Sequence, residues 1–592
     1  MARRRPATSS SLARSSRLAI SALVLAAGLV GCHSAARNAP TGLSTGPFAG
    51  LPTVSPSPST SDQTDPAASK AATVAASLGD ADLVGQVLVP ELYGENATKV
   101  TSAAAAANKR MAGVATPAEI VTKFRLGGVI LASRTSDDPT EATNTTTNIA
   151  SAAQVRTLDA GLQGAAAKLP DGAPLLIGTD QEYGVVTRLR SGVVQLPSAM
   201  ALGAAHDPSL TRSAWAAAGN DLGSIGLTAD FAPDADVLAD AGNTVIGSRS
   251  FGGTATDVSA QVGAAVSGLR SAGLATAIKH FPGHGDTDVD SHKALPVLSQ
   301  PLAKLTSVDL APFRAGIAAG TDMVMVGHLD VRSIDPGMPA TFSAKVINGL
   351  LRTQLGFRGV VITDALNMAP VTERWSAGEA AVRAILAGDD MLLMPANLAA
   401  AQRGLLAALR SGRLPRSHLV AAVTRILTLK FRLAANAKSH PAATVDSAVE
   451  RATAGKAAAA AITVLSGPCR GPLVSGAIRV TSRPAYAGTR ARLAAALKAD
   501  GVHVVASGGT LIDIVGYADG RSHLANGAAV TVAVDTPYVL HYATSKVRIA
   551  TYSSTAASMT ALAAVLAGRA TATGTSPVAV AGLPRTACSA RS

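Results

Sequence analysis

Residues 275–292 read ATAIKHFPGHGDTDVDSH: an apolar run that turns polar at Lys279-His280 and opens into a loop. From Lys279 to His292 the segment packs three histidines, three aspartates and a lysine into fourteen residues. A short, nearly continuous apolar run is what a parallel strand buried on both faces requires. The same phrase recurs along the chain, as QVLVPEL from Gln86, GGVILAS from Gly127, PLLIGTD from Pro174, LTADFAP from Leu227, DMVMVGH from Asp322, GVVITDA from Gly359 and DMLLMPA from Asp390. With ATAIKHF these are eight runs separated by helical stretches, and they predict an α/β chain whose first large domain is a (β/α)8 barrel. Most runs end in a polar residue: Asp180, Asp234 or Asp236, Lys279-His280, His328, Asp364. In a barrel those ends converge on one rim, where this fold carries its active sites.

The chain has 592 residues, too many for one ordinary core, and 47% of them are hydrophobic, so burial is easily supplied. Its formal charge is +13. Five of the positive charges are Arg3, Arg4, Arg5, Arg14 and Arg17, in a leader without a single acid. The remaining lysines and arginines are scattered and aromatics are only 3%, which argues against a nucleic acid partner. After the arginines comes LAISALVLAAGLV (18–30), too short to span a bilayer but suited to a signal sequence. The Arg3-Arg4 pair lacks the rest of a twin-arginine signal, so general secretion is expected. Leu29-Val30-Gly31-Cys32 resembles a bacterial lipobox, with Cys32 as the acylated residue. Residues 1–31 are therefore read as a lipoprotein signal peptide. Residues 32–75, rich in Pro, Ser and Thr, are read as a flexible tether. The expected location is the outer face of the cell membrane, held by a lipid.

After the barrel, assigned to 76–440, residues 441–592 show ITVLSG, IRVTS, GVHVVAS, LIDIVGY, AVTVAVD and VRIATY alternating with helical pieces at Thr489–Lys498 and Ala556–Leu566. This predicts a smaller, doubly wound α/β domain with an accessory role. Cys469 and Cys588 both lie in it, and in an exported chain a bridge between them is expected, two separate thiols being the other reading.

The loop from Lys279 admits several chemistries. As a calcium loop it fails, because Ser291 stands where the turn glycine belongs and Val297 where the bidentate Glu belongs. A zinc set of His280, His284 and His292 lacks helical spacing or an HExxH pattern. Gly283 and Gly285 are not followed by the Lys-Ser/Thr of a phosphate loop. Proton transfer fits better: Asp290, two residues before His292, can set the imidazole's tautomer and stabilise its protonated form.

At these residues a resemblance becomes specific. KHFPGHGDTDVDSH resembles the hallmark of glycoside hydrolase family 3, in its β-N-acetylglucosaminidase branch. VVITDALNM (360–368), GTDQEYGVVTRL (178–189), GSRSFGG (247–253) and FAPDADV (231–237) are similar to its other barrel motifs, in the same order. The resemblance implies a retaining exo-hydrolase that removes terminal N-acetylglucosamine (GlcNAc) from peptidoglycan fragments. It makes Asp364 the nucleophile and His292 the general acid/base with Asp290 as partner. Asp180, Arg188, Arg249, Lys279 and His280 would hold the sugar. Histidine suits that role, since its reference pKa of about 6.5 allows it to act as acid and as base near neutrality. No metal or organic cofactor is expected; the partners are a GlcNAc-containing glycan or muropeptide and the membrane. The rivals are a GlcNAc β-glycoside phosphorylase or a family 3 glycosidase of other sugar specificity and, in another class, a non-catalytic wall-binding lipoprotein. Tyr183 departs from the Gly that many members have after DQE, and is expected to crowd or stack on the sugar beside Asp180. His328 and Asp236 are read as buried strand-end groups that shape the site.

Overall fold

A computed structural model describes residues 65–132, 148–437, 439–440 and 442–588. Residues 1–64 lie outside the described residues, and with them Cys32, the signal run and most of the expected tether.

All eight apolar runs become strands: β1 Leu88–Val89, β2 Gly128–Leu131, β3 Leu176–Thr179, β4 Ala229–Asp230, β5 Ala275–Phe281, β6 Met323–Val326, β7 Val360–Thr363 and β8 Leu392–Leu393. Strands β2 to β7 form one six-stranded sheet in chain order, with every pairing parallel. β1 pairs with β8 in parallel, and single parallel bridges, Glu91 to Ile130 and Ile362 to Met391, join this pair to both edges of the sheet. The eight strands thus close into a ring. Helices follow the strands, as at Ala152–Ala166, Pro208–Ser224 and Ala255–Ser271. Burial of every residue in β2, β3, β5, β6 and β7 explains why they read as unbroken apolar runs.

The tether ends earlier than the sequence suggested. Pro66–Ser77 is a helix, capped by Asp65 accepting from Ala67 N, with Pro66 in its first turn. Asp65 also meets Arg432, 2.6 Å away, and Lys70 Nζ stands 4.0 Å over the Phe431 ring. Alanine's high helix propensity and this docking on Arg416–Asn436 outweigh the missing apolar period.

The second domain contains a five-stranded sheet: β9 Thr463–Ser466, β10 Ile478–Ser482, β11 Thr510–Val515, β12 Val530–Ala533 and β13 Val547–Ala550, in the order β9-β13-β12-β11-β10. β9 runs antiparallel to β13 and the other pairings are parallel. The third of the six runs, GVHVVAS, forms no strand of this sheet and meets it through the bridge from Val504 to Ile478. Helices Ala487–Ala499 and Ala556–Leu566 share a core with the sheet face bearing Ile512, Ile514, Val532 and Ile549. Val515, Ala533 and Ala550, on the alternate face, pack against Met200, Ala201, Leu238 and Ile246 of the barrel. There the barrel supplies the covering layer. Cys469 and Cys588 are joined as a disulfide, with Cα atoms 5.3 Å apart.

Candidate active site

The polar strand ends meet around a cavity of roughly 180 Å³. Asp180, Arg188, Arg249, Lys279, His280, His292 and Asp364 all line it. Asp290, the remaining candidate, touches it through His292.

Asp180 follows β3 directly, and its Oδ1 accepts from Lys279 Nζ at 2.7 Å, while Arg188 Nη2 lies 3.5 Å from its Oδ2. Gln181 fixes this loop: its N–H donates to Asp230 Oδ1, and its Oε1 accepts from the backbone N–H of Arg188 and of Leu189. Glu182 is the group that sequence reasoning passed over. It sits 2.7 Å from Lys279 Nζ, and Arg249 grips it with Nε at 2.6 Å and Nη2 at 2.9 Å. Burial alone would raise its carboxyl, but Arg249 and Lys279 hold it well below the usual range. Burial would lower Lys279 and Arg249, but Asp180 and Glu182 hold the lysine above its ordinary value and Glu182 and Asp234 do the same for the arginine. The available signal was spacing, since residues two apart in extended chain share a side, as Asp180 and Glu182 do.

Asp236 organises the start of the histidine loop. Its Oδ2 meets His280 Nδ1 at 2.8 Å, and its Oδ1 accepts from the backbone N–H of His280 and of His284. His280 Nδ1–H donates to that carboxylate, and Nε2 stands 3.3 Å from Arg249 Nη2. The glycines of this loop serve packing. A Cβ at Gly285 would stand 1.8 Å from Val237 O, and one at Gly283 (φ +127) would stand 2.7 Å from Asp309 Cβ.

Asp364 follows β7. Its N–H donates to Val326 O, and its Oδ1 accepts from Ala365 N at 2.7 Å. Burial would raise this carboxyl, yet the His280 and His328 imidazoles and the Ala365 N–H lower it to about 2. It is a ready anion, facing a cavity. His328 is a scaffold, as read: its ring spans Thr341 Oγ1 at 2.8 Å and Ala365 O at 3.0 Å.

His292 stands at the mouth, its side chain 46% exposed. Its Nδ1 lies 2.9 Å from Asp290 Oδ1, which also accepts from the His292 backbone N–H, while Lys293 Nζ holds Asp290 Oδ2 at 3.0 Å. Burial would raise the Asp290 carboxyl, but these donors bring it below its ordinary value. Nε2 has no protein partner among the described residues. The His292 carbonyl accepts from Ala369 N at 3.4 Å, which ties the loop to the segment after Asp364.

Two expectations change here. Tyr183 neither crowds nor stacks on the sugar site. Its ring is 1% exposed and packs edge-on against Trp215 with centroids 5.8 Å apart, because a positive φ of 66° turns it into the core. The zinc set of His280, His284 and His292 does not converge as free ligands: Asp236 and Arg249 occupy the His280 nitrogens, and Asp290 occupies His292 Nδ1. Among the described residues, Asp234, Asp236 and His280 bring potential ligand atoms within 4.8 Å of one another. Arg249 stands against that group, with Nη2 3.8 Å from Asp234 Oδ2, and supplies the countercharge a metal would bring.

Residues 84–429 match the N-terminal domain of glycosyl hydrolase family 3. The chain is 34% identical over 341 residues to Beta-hexosaminidase A of Pseudoalteromonas piscicida, covering 53% of this chain and about half (55%) of that protein. It is 38% identical over 270 residues to Beta-hexosaminidase LpqI of Mycobacterium tuberculosis, covering 43% of this chain and 68% of that one. Among solved structures, a family 3 β-N-acetylglucosaminidase from Paenibacillus sp. superposes with a TM-score of 0.74 at 32% identity, over 87% of this chain and 100% of that one. With motifs, ring of strands and relatives in agreement, the chain belongs to glycosyl hydrolase family 3.

Proposed function

We propose that the chain is a retaining exo-β-N-acetylglucosaminidase acting on peptidoglycan fragments. The observation that carries this is the presence of an ionised Asp364 and an Asp290-oriented His292 on one small cavity also walled by Lys279, Arg249 and Asp180. The names of the hexosaminidase and β-N-acetylglucosaminidase relatives support the sugar. In this reading Asp364 attacks the anomeric carbon as the glycosidic bond breaks, and His292 Nε2–H gives its proton to the leaving oxygen. A glycosyl ester with Asp364 results. Water then attacks the same carbon, loses its proton to His292, and frees the carboxylate. Asp290 compensates the imidazolium, and Lys279 and Arg249 donate to sugar oxygens.

The test is hydrolysis of a chromogenic GlcNAc β-glycoside, with and without phosphate. Release of free GlcNAc at a rate independent of phosphate supports the reading; GlcNAc 1-phosphate as the product replaces it with phosphorolysis. The lipid anchor rests on Leu29–Cys32 alone. Cys32→Ala should move the protein from the membrane fraction to the medium, or leave it unacylated.

A further inference from the structure

Between the barrel and the C-terminal sheet lie two hollows of roughly 300 and 470 Å³. Both are walled by Gly184, Arg190, Arg492, Ser553 and Ser554, so they adjoin as one cleft. A thin partition separates the cleft from the catalytic cavity. Ser248 lines the cleft where Arg249 lines the cavity, and Val185 and Val186 divide in the same way.

The walls combine three kinds of group. Arg492 donates from Nε to Ser554 O at 3.1 Å and from Nη2 to Thr489 Oγ1 at 3.0 Å, which aims the guanidinium and leaves Nη1 without a protein partner among the described residues. Helix Ala556–Leu566 begins on the same wall, where Ala556 and Ala557 bring N–H groups that no preceding turn can satisfy. Then there are buried polar atoms left unmatched. Ser553 is 2% exposed and Asp535 5% exposed, and among the described residues neither Ser553 Oγ nor Asp535 Oδ1 has a hydrogen-bond partner. Native interiors rarely leave such atoms unpaired. Finally, Tyr486 and Tyr517 add ring surface to the wall.

We propose that this cleft is a second binding site, for a carboxylated saccharide. Arg492 and the helix N-terminus take the carboxylate, Ser553 and Asp535 take hydroxyls, and the tyrosine rings cover the apolar sugar face. A bare inorganic anion would leave Asp535 and the rings unused. A neutral sugar would leave the guanidinium and the helix end unmatched. The site stands independently of the glycosidase reading, because it is measured by binding alone.

The probe is N-acetylmuramic acid, titrated calorimetrically into the full chain with the catalytic cavity saturated by N-acetylglucosamine. Saturable binding that weakens with salt is expected. Arg492→Met should weaken it roughly tenfold or more. Because Arg492 also braces Thr489 and Ser554, Ala557→Glu is the second variant: an acid in the first helical turn suits the helix but repels a carboxylate, and should weaken binding about tenfold. Absence of saturable binding, unchanged affinity in Ala557→Glu, or equal competition by inorganic phosphate would each overturn the proposal. Failure of N-acetylglucosamine itself to bind would count against the glycosidase reading alone.

Discussion

Arg249 meets Glu182 through two nitrogens, Nε 2.6 Å from Oε2 and Nη2 2.9 Å from Oε1, with both side chains almost sealed from solvent. A bidentate, buried pair of this kind fixes the guanidinium in one pose, and Glu182 holds Lys279 at the same time. Glu182→Gln keeps the shape but leaves Lys279 with Asp180 and Arg249 with only the longer 3.8 Å contact to Asp234. We expect it to raise KM for a GlcNAc glycoside at least about tenfold and to destabilise the barrel by about 3 kcal/mol. Steady-state kinetics and thermal unfolding check both, and a wild-type KM would deny the pair its positioning role.

The nucleophile should declare itself by rescue. Asp364→Ala should lower kcat by about 10⁴-fold or more. Azide should restore part of the rate by entering the space the carboxylate leaves, giving a glycosyl azide that mass spectrometry can identify.

Its ionisation sets a pH window. The Asp364 carboxyl, drawn down to about 2 from 3.8, is more stable as an anion in the fold than in the unfolded chain. That contribution is complete above the unfolded value and is lost as pH falls through about 2. The stability difference between wild type and Asp364→Asn should therefore hold constant above about pH 5 and change in favour of the variant toward pH 2. Urea midpoints across that range measure it.

The dyad is tested by leaving groups. His292→Ala should slow hydrolysis of an alkyl GlcNAc glycoside by about 10²–10⁴-fold and that of a nitrophenyl glycoside far less, because a good leaving group needs no proton. Asp290→Asn should give a similar but smaller pattern, because the neutral amide neither compensates the imidazolium nor enforces the Nδ1–H tautomer. Equal losses for both glycosides would remove proton transfer from His292.

Tyr183 offers a control outside the chemistry. Tyr183→Phe should leave kcat and KM unchanged and stability the same or slightly higher, since the hydroxyl is buried without a hydrogen-bond partner among the described residues. Tyr183→Ala should cost about 3–5 kcal/mol through the void beside Trp215. A KM change in the phenylalanine variant would return this ring to the sugar site.

The eight-stranded ring was legible because burial on both faces writes itself into sequence as unbroken apolar runs, and the polar residues closing them fall in one phase. Asp290 and His292 were legible because they are neighbours in chain: a contact two residues long needs no tertiary knowledge. The same locality explains the limits. The antiparallel first strand of the second sheet, and GVHVVAS lying outside it, depend on which edges were free once the barrel covered Val515, Ala533 and Ala550. An apolar run does not encode its neighbour.

Sequence alone determined the kind of fold and the inventory of reactive groups, since periodicity and residue type are local properties that burial and acid–base chemistry act on directly. Only the tertiary structure decided which charges balance which. Glu182 is separated from Arg249 by 67 residues along the chain, yet neutralises it, and Lys279 finds Asp180 across 99 residues. It also decided that Tyr183, adjacent in sequence to Glu182, faces away from the sugar: one positive φ turns the ring into the core, and no side-chain pattern reports a backbone angle.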